Sequence, residues 1–257
     1  MSVVRDLGSR IDPDGALTRA GHRAVMLAAH ARARGRDDPP SRAIARATLT
    51  AATGRHPAAE REWIGRIEDR RRRIPAEAPG DELRGACPFW SIPRHWGRFL
   101  TRLVVELAPE NAVEMGVGFG MSGCYQAAAL EVQGRGRLTC LDQEESLAEI
   151  ARESFAELGL DHRIELHMGP IGQTLGPVAE RVAPIDYAYI DAEHTEAATV
   201  HNFEVILPHL TPGAVVVVDD VMLGDEMTRA WDRIAGHRRV AFALSLRRLG
   251  LVVVNGG

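Results

Sequence analysis

The stretch Glu114-Met-Gly-Val-Gly-Phe-Gly-Met-Ser-Gly123 places a carboxylate two residues ahead of glycines that alternate at 116, 118 and 120, with a serine at 122. Alternating glycines let a backbone turn tightly and approach a ligand closely, with the N-terminus of the next helix aimed at it. From Gly118 to Gly123 the spacing satisfies G-x-G-x-x-G, the pattern that cradles a dinucleotide pyrophosphate, although a purely structural glycine turn reads the same way. Glu114 tips the choice of ligand. A carboxylate there accepts hydrogen bonds from a cationic amino acid and stands awkwardly beside a pyrophosphate. S-adenosylmethionine (SAM) offers an ammonium and a sulfonium in that region and no phosphate, so the loop favours SAM over NAD. Glu114, Gly116, Gly118, Gly120 and Ser122 are the candidate contacts.

Other chemistry-bearing residues follow apolar runs. Asp142 ends one of them, where an acid can take both ribose hydroxyls, a feature that NAD and SAM sites share. It also stands where it can cap the helix that follows. Asp191, Asp219 and Asp220 end two further runs. In a parallel sheet, adjacent strand ends lie side by side at the ligand-binding edge, so these three carboxylates are expected to converge. Unpaired, they repel one another. A hard divalent cation relieves that, and oxygen ligands suit Mg2+; the competing reading is that one or two of them cap helices. His194, three residues after Asp191, falls on the loop beyond the strand. An imidazole titrating near neutral pH can take a proton from a substrate hydroxyl there. The chain contains no lysine, so no lysine can serve as a base or form a Schiff base.

The elements that must position these groups are legible in the hydrophobic pattern. Residues 112–115, 137–141, 163–167, 185–190 and 214–218 read as strands. Helices are expected over 96–107 and 123–132, through the stripe Leu147, Ile150, Ala151, Phe155 and Leu158, and around Val200–Leu210 and Met227–Ile234. Two last strands, 240–244 and 249–254, are joined only by Ser245 to Arg248, a connection too short for a parallel crossover, so they form an antiparallel hairpin. The expected fold is therefore α/β: a Rossmann-like, mostly parallel sheet of seven strands closed by a C-terminal antiparallel hairpin. Ahead of it, residues 1–95 read as a helical extension, with helices over 16–33, 41–52 (Ser41 as cap) and 57–74, a Pro/Gly/acid linker over 75–85, and an aromatic knot over 87–96 that includes Phe89, Trp90 and Trp96. Residues 96–257 form the ligand-binding domain.

The chain has 257 residues, 45% of them hydrophobic, enough for one sizeable domain with an extension. Cys87, Cys124 and Cys140 make neither a disulfide framework nor a zinc pattern. With no transmembrane run and no signal-like segment, a cytoplasmic location without membrane contact is expected. Charge is uneven: residues 1–95 carry 18 Arg against 12 acids, residues 96–257 carry 13 Arg against 23. The cluster Arg70–Arg73 is flanked by Glu60, Glu62, Glu68 and Asp69, which favours a solvated helix face over nucleic-acid binding.

Trp96-Gly-Arg-Phe-Leu100, the glycine loop from Glu114, Tyr189-Ile-Asp-Ala-Glu-His194 and Val218-Asp-Asp-Val221 together resemble the bacterial class I SAM-dependent O-methyltransferases related to the catechol and caffeoyl-CoA types, over about residues 91–257. The resemblance implies that Glu114, Gly116, Gly120 and Ser122 contact the amino-acid part of SAM and Asp142 the ribose. Around Gly169, the segment Met168-Gly-Pro-Ile-Gly-Gln173 lacks the polar adenine contacts usual in that family, which leaves adenine to backbone groups. The resemblance puts Mg2+ or another divalent cation on Asp191, Asp219 and Asp220. The family commonly has Asn at the third position, so Asp220 departs from it and makes the site more negative. His194 falls where the catechol type has a catalytic lysine and is the base implied there, beside Asp191. Metal-assisted O-methylation of a small-molecule hydroxyl is the expectation, in a homodimer whose N-terminal helices cover the pocket or form the dimer contact. The alternatives are a metal-independent N- or carboxyl-methyltransferase, an NAD-dependent oxidoreductase, and a non-catalytic SAM-binding scaffold.

Overall fold

The computed structural model describes residues 16–78 and 80–256. Its centre is a seven-stranded sheet of order β3-β2-β1-β4-β5-β7-β6, built from β1 (Asn111–Met115), β2 (Arg137–Asp142), β3 (Ile164–Met168), β4 (Ile185–Ile190), β5 (Leu210–Val218), β6 (Val240–Ser245) and β7 (Gly250–Val254). Strands β1 to β5 pair in parallel, whereas β7 runs antiparallel between β5 and β6. This is the expected fold. The chain runs outward from β1 to β2 and β3, then crosses back to β4 on β1's other flank. The carboxyl ends of β1 and β4 therefore frame the topological switch point, where such sheets bind ligands.

Ten α-helices occur among the described residues: α1 (Ala16–Ala33), α2 (Pro39–Thr53), α3 (Ala58–Glu77), α4 (Gly80–Trp90), α5 (Arg94–Leu107), α6 (Met121–Gln133), α7 (Glu145–Leu158), α8 (Ile171–Val182), α9 (Glu196–Ile206) and α10 (Gly224–Ala235). Several differ from the sequence pattern for local reasons. Asp38, not Ser41, caps α2: its Oδ1 accepts from the Ser41 N–H at 2.8 Å, while Pro39 and Pro40 fill the first turn, where a missing N–H costs nothing. The expected linker over 75–85 is largely helical. Helix α3 continues through Pro75 because Ile74 is fully buried and Pro75 sits in the last turn, and α4 starts at Gly80. The Phe89 side chain lies outside the described residues. Helix α8 escapes the pattern because Gly172, Gly176 and Pro177 interrupt it, although Ile171, Leu175, Val178 and Ala179 recur at helical spacing and are buried.

The N-terminal helices share a core with one face of the sheet. Met26, Ile44, Ile67 and Ile74 belong to the same buried cluster as Phe99, Leu103, Tyr125, Val215 and Leu251. Helix α5 approaches α6 closely at Gly97, where a Cβ would stand 2.1 Å from the Tyr125 ring. The Tyr125 hydroxyl in turn donates to Glu68 of α3. Arg70 is buried, against the expectation of a solvated face: its Nε donates to Ser154 of α7 at 3.0 Å, and its guanidinium pairs with Glu77 and Glu157. Arg71, Arg72 and Arg73 are paired with Glu68, Asp69 and Glu157. A cluster so neutralised offers little to phosphates.

Candidate active site

The glycine loop leaves β1 at the switch point. Gly116 takes φ of +87°, and a Cβ there would meet the Asp191 carbonyl oxygen at 2.0 Å, so only glycine lets the loop lie against the end of β4. The Gly116 N–H donates to Leu141 O and the Asp191 N–H to Met115 O, tying loop, β2 and β4 together. Gly118 takes φ of +51° and faces open space, with nothing within 4 Å of a built Cβ. Gly120, at φ of +80°, opens α6, and Ser122 lies in that helix's first turn.

Glu114 and Asp142 hold this loop from two sides. Glu114 is fully buried beneath it. Gln126 Nε2 donates to its Oε1 at 3.0 Å and the Cys140 thiol to its Oε2 at 3.4 Å. Burial pushes the carboxyl up to about 8, against the pull of hydrogen bonds from Ser122, Cys140 and Gln126. Asp142 Oδ2 accepts from the Val117 and Gly118 N–H groups at 2.7 and 2.9 Å, and its Oδ1 from Glu144 N at 2.8 Å. Its carboxylate thus fastens the loop and the turn at Glu144, but it does not cap the next helix as the sequence suggested: Glu144 stands at that N-cap without a side-chain bond. Gly169 follows β3, its N–H bonded to Asp142 O at 2.9 Å.

Across the switch point the carboxylates converge in a different grouping from the one expected. Asp191, His194 and Asp220 present ligand atoms within 4.8 Å of one another; Asp219 does not join them. His194 Nε2 lies 3.1 Å from Asp191 Oδ1 and 3.5 Å from Asp220 Oδ2. The hydrogen bonds to Asp191 and then Asp220 hold the imidazole far above its ordinary value, at about 10. His194 is therefore placed as a cation between two acids, and its Nε2, donating to them, is not the free base that the sequence suggested. Asp219 is fully buried and saturated. Arg248 Nε donates to its Oδ1 at 2.8 Å and Nη2 to its Oδ2 at 3.1 Å. The Tyr189 hydroxyl (2.6 Å) and the Asp220 N–H (2.7 Å) complete the set. Burial and then the Asp191 charge push the Asp219 carboxyl up, while Arg248 pulls it back. Burial also pushes Asp220 up, but His194 and Arg248 outweigh it and hold that carboxyl below its usual range. Glu193, His194 and Asp220 all take positive φ, at +62°, +45° and +52°. Such strain at non-glycine residues gathers where function needs a fixed geometry.

Residues 113–221, which span the loop, Asp142, Asp191, His194 and both β5 acids, match the family model described as a methyltransferase domain. Over that segment the chain is similar to methyltransferase domains. The catechol O-methyltransferase of Mycobacterium tuberculosis is 29% identical to it over 137 residues, 53% of this chain and 60% of that one. The catechol O-methyltransferase of Niastella koreensis is 28% identical over 136 residues, covering 52% and 60%. The chain thus spans about three fifths of the length of these curated relatives. The fold is also that of the O-methyltransferase TomG from Streptomyces achromogenes, solved with SAM (TM-score 0.57, 24% identity, 79% of this chain and 92% of that one). An O-methyltransferase from Bacillus cereus, solved with S-adenosylhomocysteine, matches at a TM-score of 0.57 with 20% identity over 81% of this chain and 95% of that one.

Arg248 and Tyr189 both bond Asp219 in this candidate site, and sequence reasoning missed them. Arg248 lies in the hairpin turn, far along the chain from Asp219, and only the antiparallel placement of β7 beside β5 brings them together. Tyr189 was visible as part of the Tyr189-Ile-Asp191 run, but strand alternation alone does not announce that its hydroxyl reaches the neighbouring strand's acid. The rim carries exposed apolar groups: Met222 and Leu223 directly after the acids, and Trp90, whose ring centroid is 6.5 Å from that of Phe119 in the loop. No helix among the described residues is long and apolar enough to cross a membrane.

Proposed function

We propose that this chain transfers the methyl group of SAM to a hydroxyl oxygen of a small molecule with an apolar body. The observation that carries this reading is the seating of Gly116 against the Asp191 carbonyl. It puts the glycine loop and the acid cluster on one sheet edge, so cofactor and acceptor meet at the switch point. The cradle fits a ligand: Gly118 is open, α6 starts behind it, and Glu114 lies beneath the loop. Gly116, Gly118, Gly120 and Ser122 would hold the amino-acid part of SAM, and Asp142 and Gly169 the nucleoside end. When bound, SAM supplies a methyl group activated by a sulfonium.

This chain's own residues then position and deprotonate the acceptor. Met222 and Leu223, just after the β5 acids, and Trp90, beside Phe119 of the loop, offer exposed apolar surface. Asp191 keeps one carboxylate oxygen that no side chain among the described residues engages, and that oxygen accepts the hydroxyl proton and passes it to water. The His194 cation faces the oxyanion that forms and stabilises it. Fixing donor and acceptor in line supplies much of the rate. The products are the methyl ether, S-adenosylhomocysteine and a proton. Mg2+ does not fit the donor set: Asp219 has no lone pair to spare, and the remaining group of two carboxylates and an imidazole is not the all-oxygen shell that Mg2+ prefers.

Titration calorimetry with SAM and with NAD tests the reading. Saturable SAM binding without NAD binding is expected, followed by transfer of labelled methyl from SAM to catechol-like acceptors. NAD binding alone would return the chain to the oxidoreductase reading, and SAM binding without transfer to any hydroxylated acceptor would favour the scaffold.

A further inference from the structure

We propose that Arg248 takes the place of a divalent cation in this chain, as a built-in positive charge that holds the strand-end carboxylates together without metal. The geometry is that of a designed ion pair. Its guanidinium grips both oxygens of Asp219 at 2.8 and 3.1 Å, and Nη2 is also 3.3 Å from Asp220 Oδ1. The planar fork of arginine matches a carboxylate in this bidentate way and stays charged at any accessible pH.

Three further observations make Arg248 a fixture of the site. Its backbone carbonyl accepts from the Val221 N–H at 2.9 Å, so the main chain that bears it is docked beside the segment after Asp220. The turn is closed by Leu246 N donating to Leu249 O at 2.7 Å, and β7 enters at Gly250, where a Cβ would strike the Trp231 ring at 2.3 Å. Tyr189 and the Asp220 N–H take the rest of Asp219's lone pairs, which leaves none for a metal. Two side chains of basic type then answer three carboxylates from within: Arg248 pairs with Asp219 and Asp220, and His194 bridges Asp191 and Asp220. A divalent ion on Asp219 would have to displace the guanidinium, and one on Asp191, His194 and Asp220 would share the Asp220 carboxylate with it.

The consequence for turnover, insensitivity to chelators, rests on the methyltransferase reading above; the ion pairing itself does not. The full-length protein is dialysed against EDTA and titrated with Mn2+ alone, read by calorimetry and by the paramagnetic signal of free Mn2+, with melting temperature followed in parallel. Wild type is expected to bind no stoichiometric Mn2+ and to melt at the same temperature with or without it. Arg248→Gln is expected to melt lower and to gain a Mn2+-dependent rise in melting temperature, as the ion takes up the vacated charge. Arg248→Lys, which keeps the charge, is expected to remain indifferent to Mn2+. One tightly bound Mn2+ per wild-type chain, or an EDTA-induced loss of stability that Mn2+ restores, would overturn the assignment. So would an Arg248→Gln protein that melts with wild type. If Arg248→Gln does not fold, the wild-type titration decides by itself. SAM binding is measured on the same sample: its absence would refute the methyltransferase reading and leave the Mn2+ result standing.

Discussion

Glu114 is a carboxyl group kept where water does not reach it, and its titration is a property of the folded chain. Its folded value, about 8, lies above the ordinary 4.5 because burial disfavours the anion. Below pH 4.5 both states carry the proton. Between 4.5 and 8 the unfolded chain releases it first, so this group lowers stability as pH rises through that window, and the loss levels off above it. Glu114→Gln removes the ionisation and keeps the shape. Denaturant unfolding of both proteins from pH 5 to 9 is expected to show the stability difference moving in favour of the Gln variant as pH rises. The change is on the order of 5 kcal/mol at full shift. A difference that does not change with pH would mean that Glu114 is ionised in the folded protein throughout.

Among the elements, those with a clean period were legible and those with interrupted ones were not. Helix α1 falls on the expected 16–33 and β4 on 185–190, since nothing breaks the apolar recurrence in either. Helix α8 and the α3–α4 junction hid behind Gly and Pro, whose local cost is overridden by buried partners such as Ile74 and Leu175. The site divides in the same way. Loop, strand-end acids and His194 were readable because each adjoins its own strand. Their grouping was not, because which acid meets which cation depends on hairpin register. Caps were a third blind spot: Ser41 and Asp38 are both good cap types, and the choice turned on two prolines filling the first turn. Asp38→Ala is expected to cost about 1 kcal/mol in denaturant unfolding. An unchanged midpoint would mean that α2 does not need this cap.

For the molecule as a whole, residues 16–95 are structural partners of the sheet. The expected boundary at 95/96 falls inside the first turn of α5. Across it, the His22 ring stands edge-on to Trp96, with centroids 4.7 Å apart. Arg36 lies over the Phe242 ring of β6 at 4.8 Å. Removing the N-terminal helices would bare Phe99, Leu103 and Tyr125, all fully buried in the intact chain. A fragment of residues 96–257 is therefore expected to lack the single cooperative calorimetric transition of the full chain and to bind a hydrophobic dye. A fragment that melts cooperatively would show that the sheet and its C-terminal helices are self-sufficient.

The placement of Arg248 on the last hairpin also sets an order of assembly. A ribosome releases Asp191, Asp219 and Asp220 before it releases Arg248, so a growing chain holds its clustered negative charges for a time without their strongest counter-ion. The parallel strands can form in that interval, but the acidic edge cannot settle until β7 has inserted between β5 and β6. Completion of the active edge is thus coupled to the final pairing event, and a chain halted short of the hairpin would own every acid of its site and none of the guanidinium that tames them.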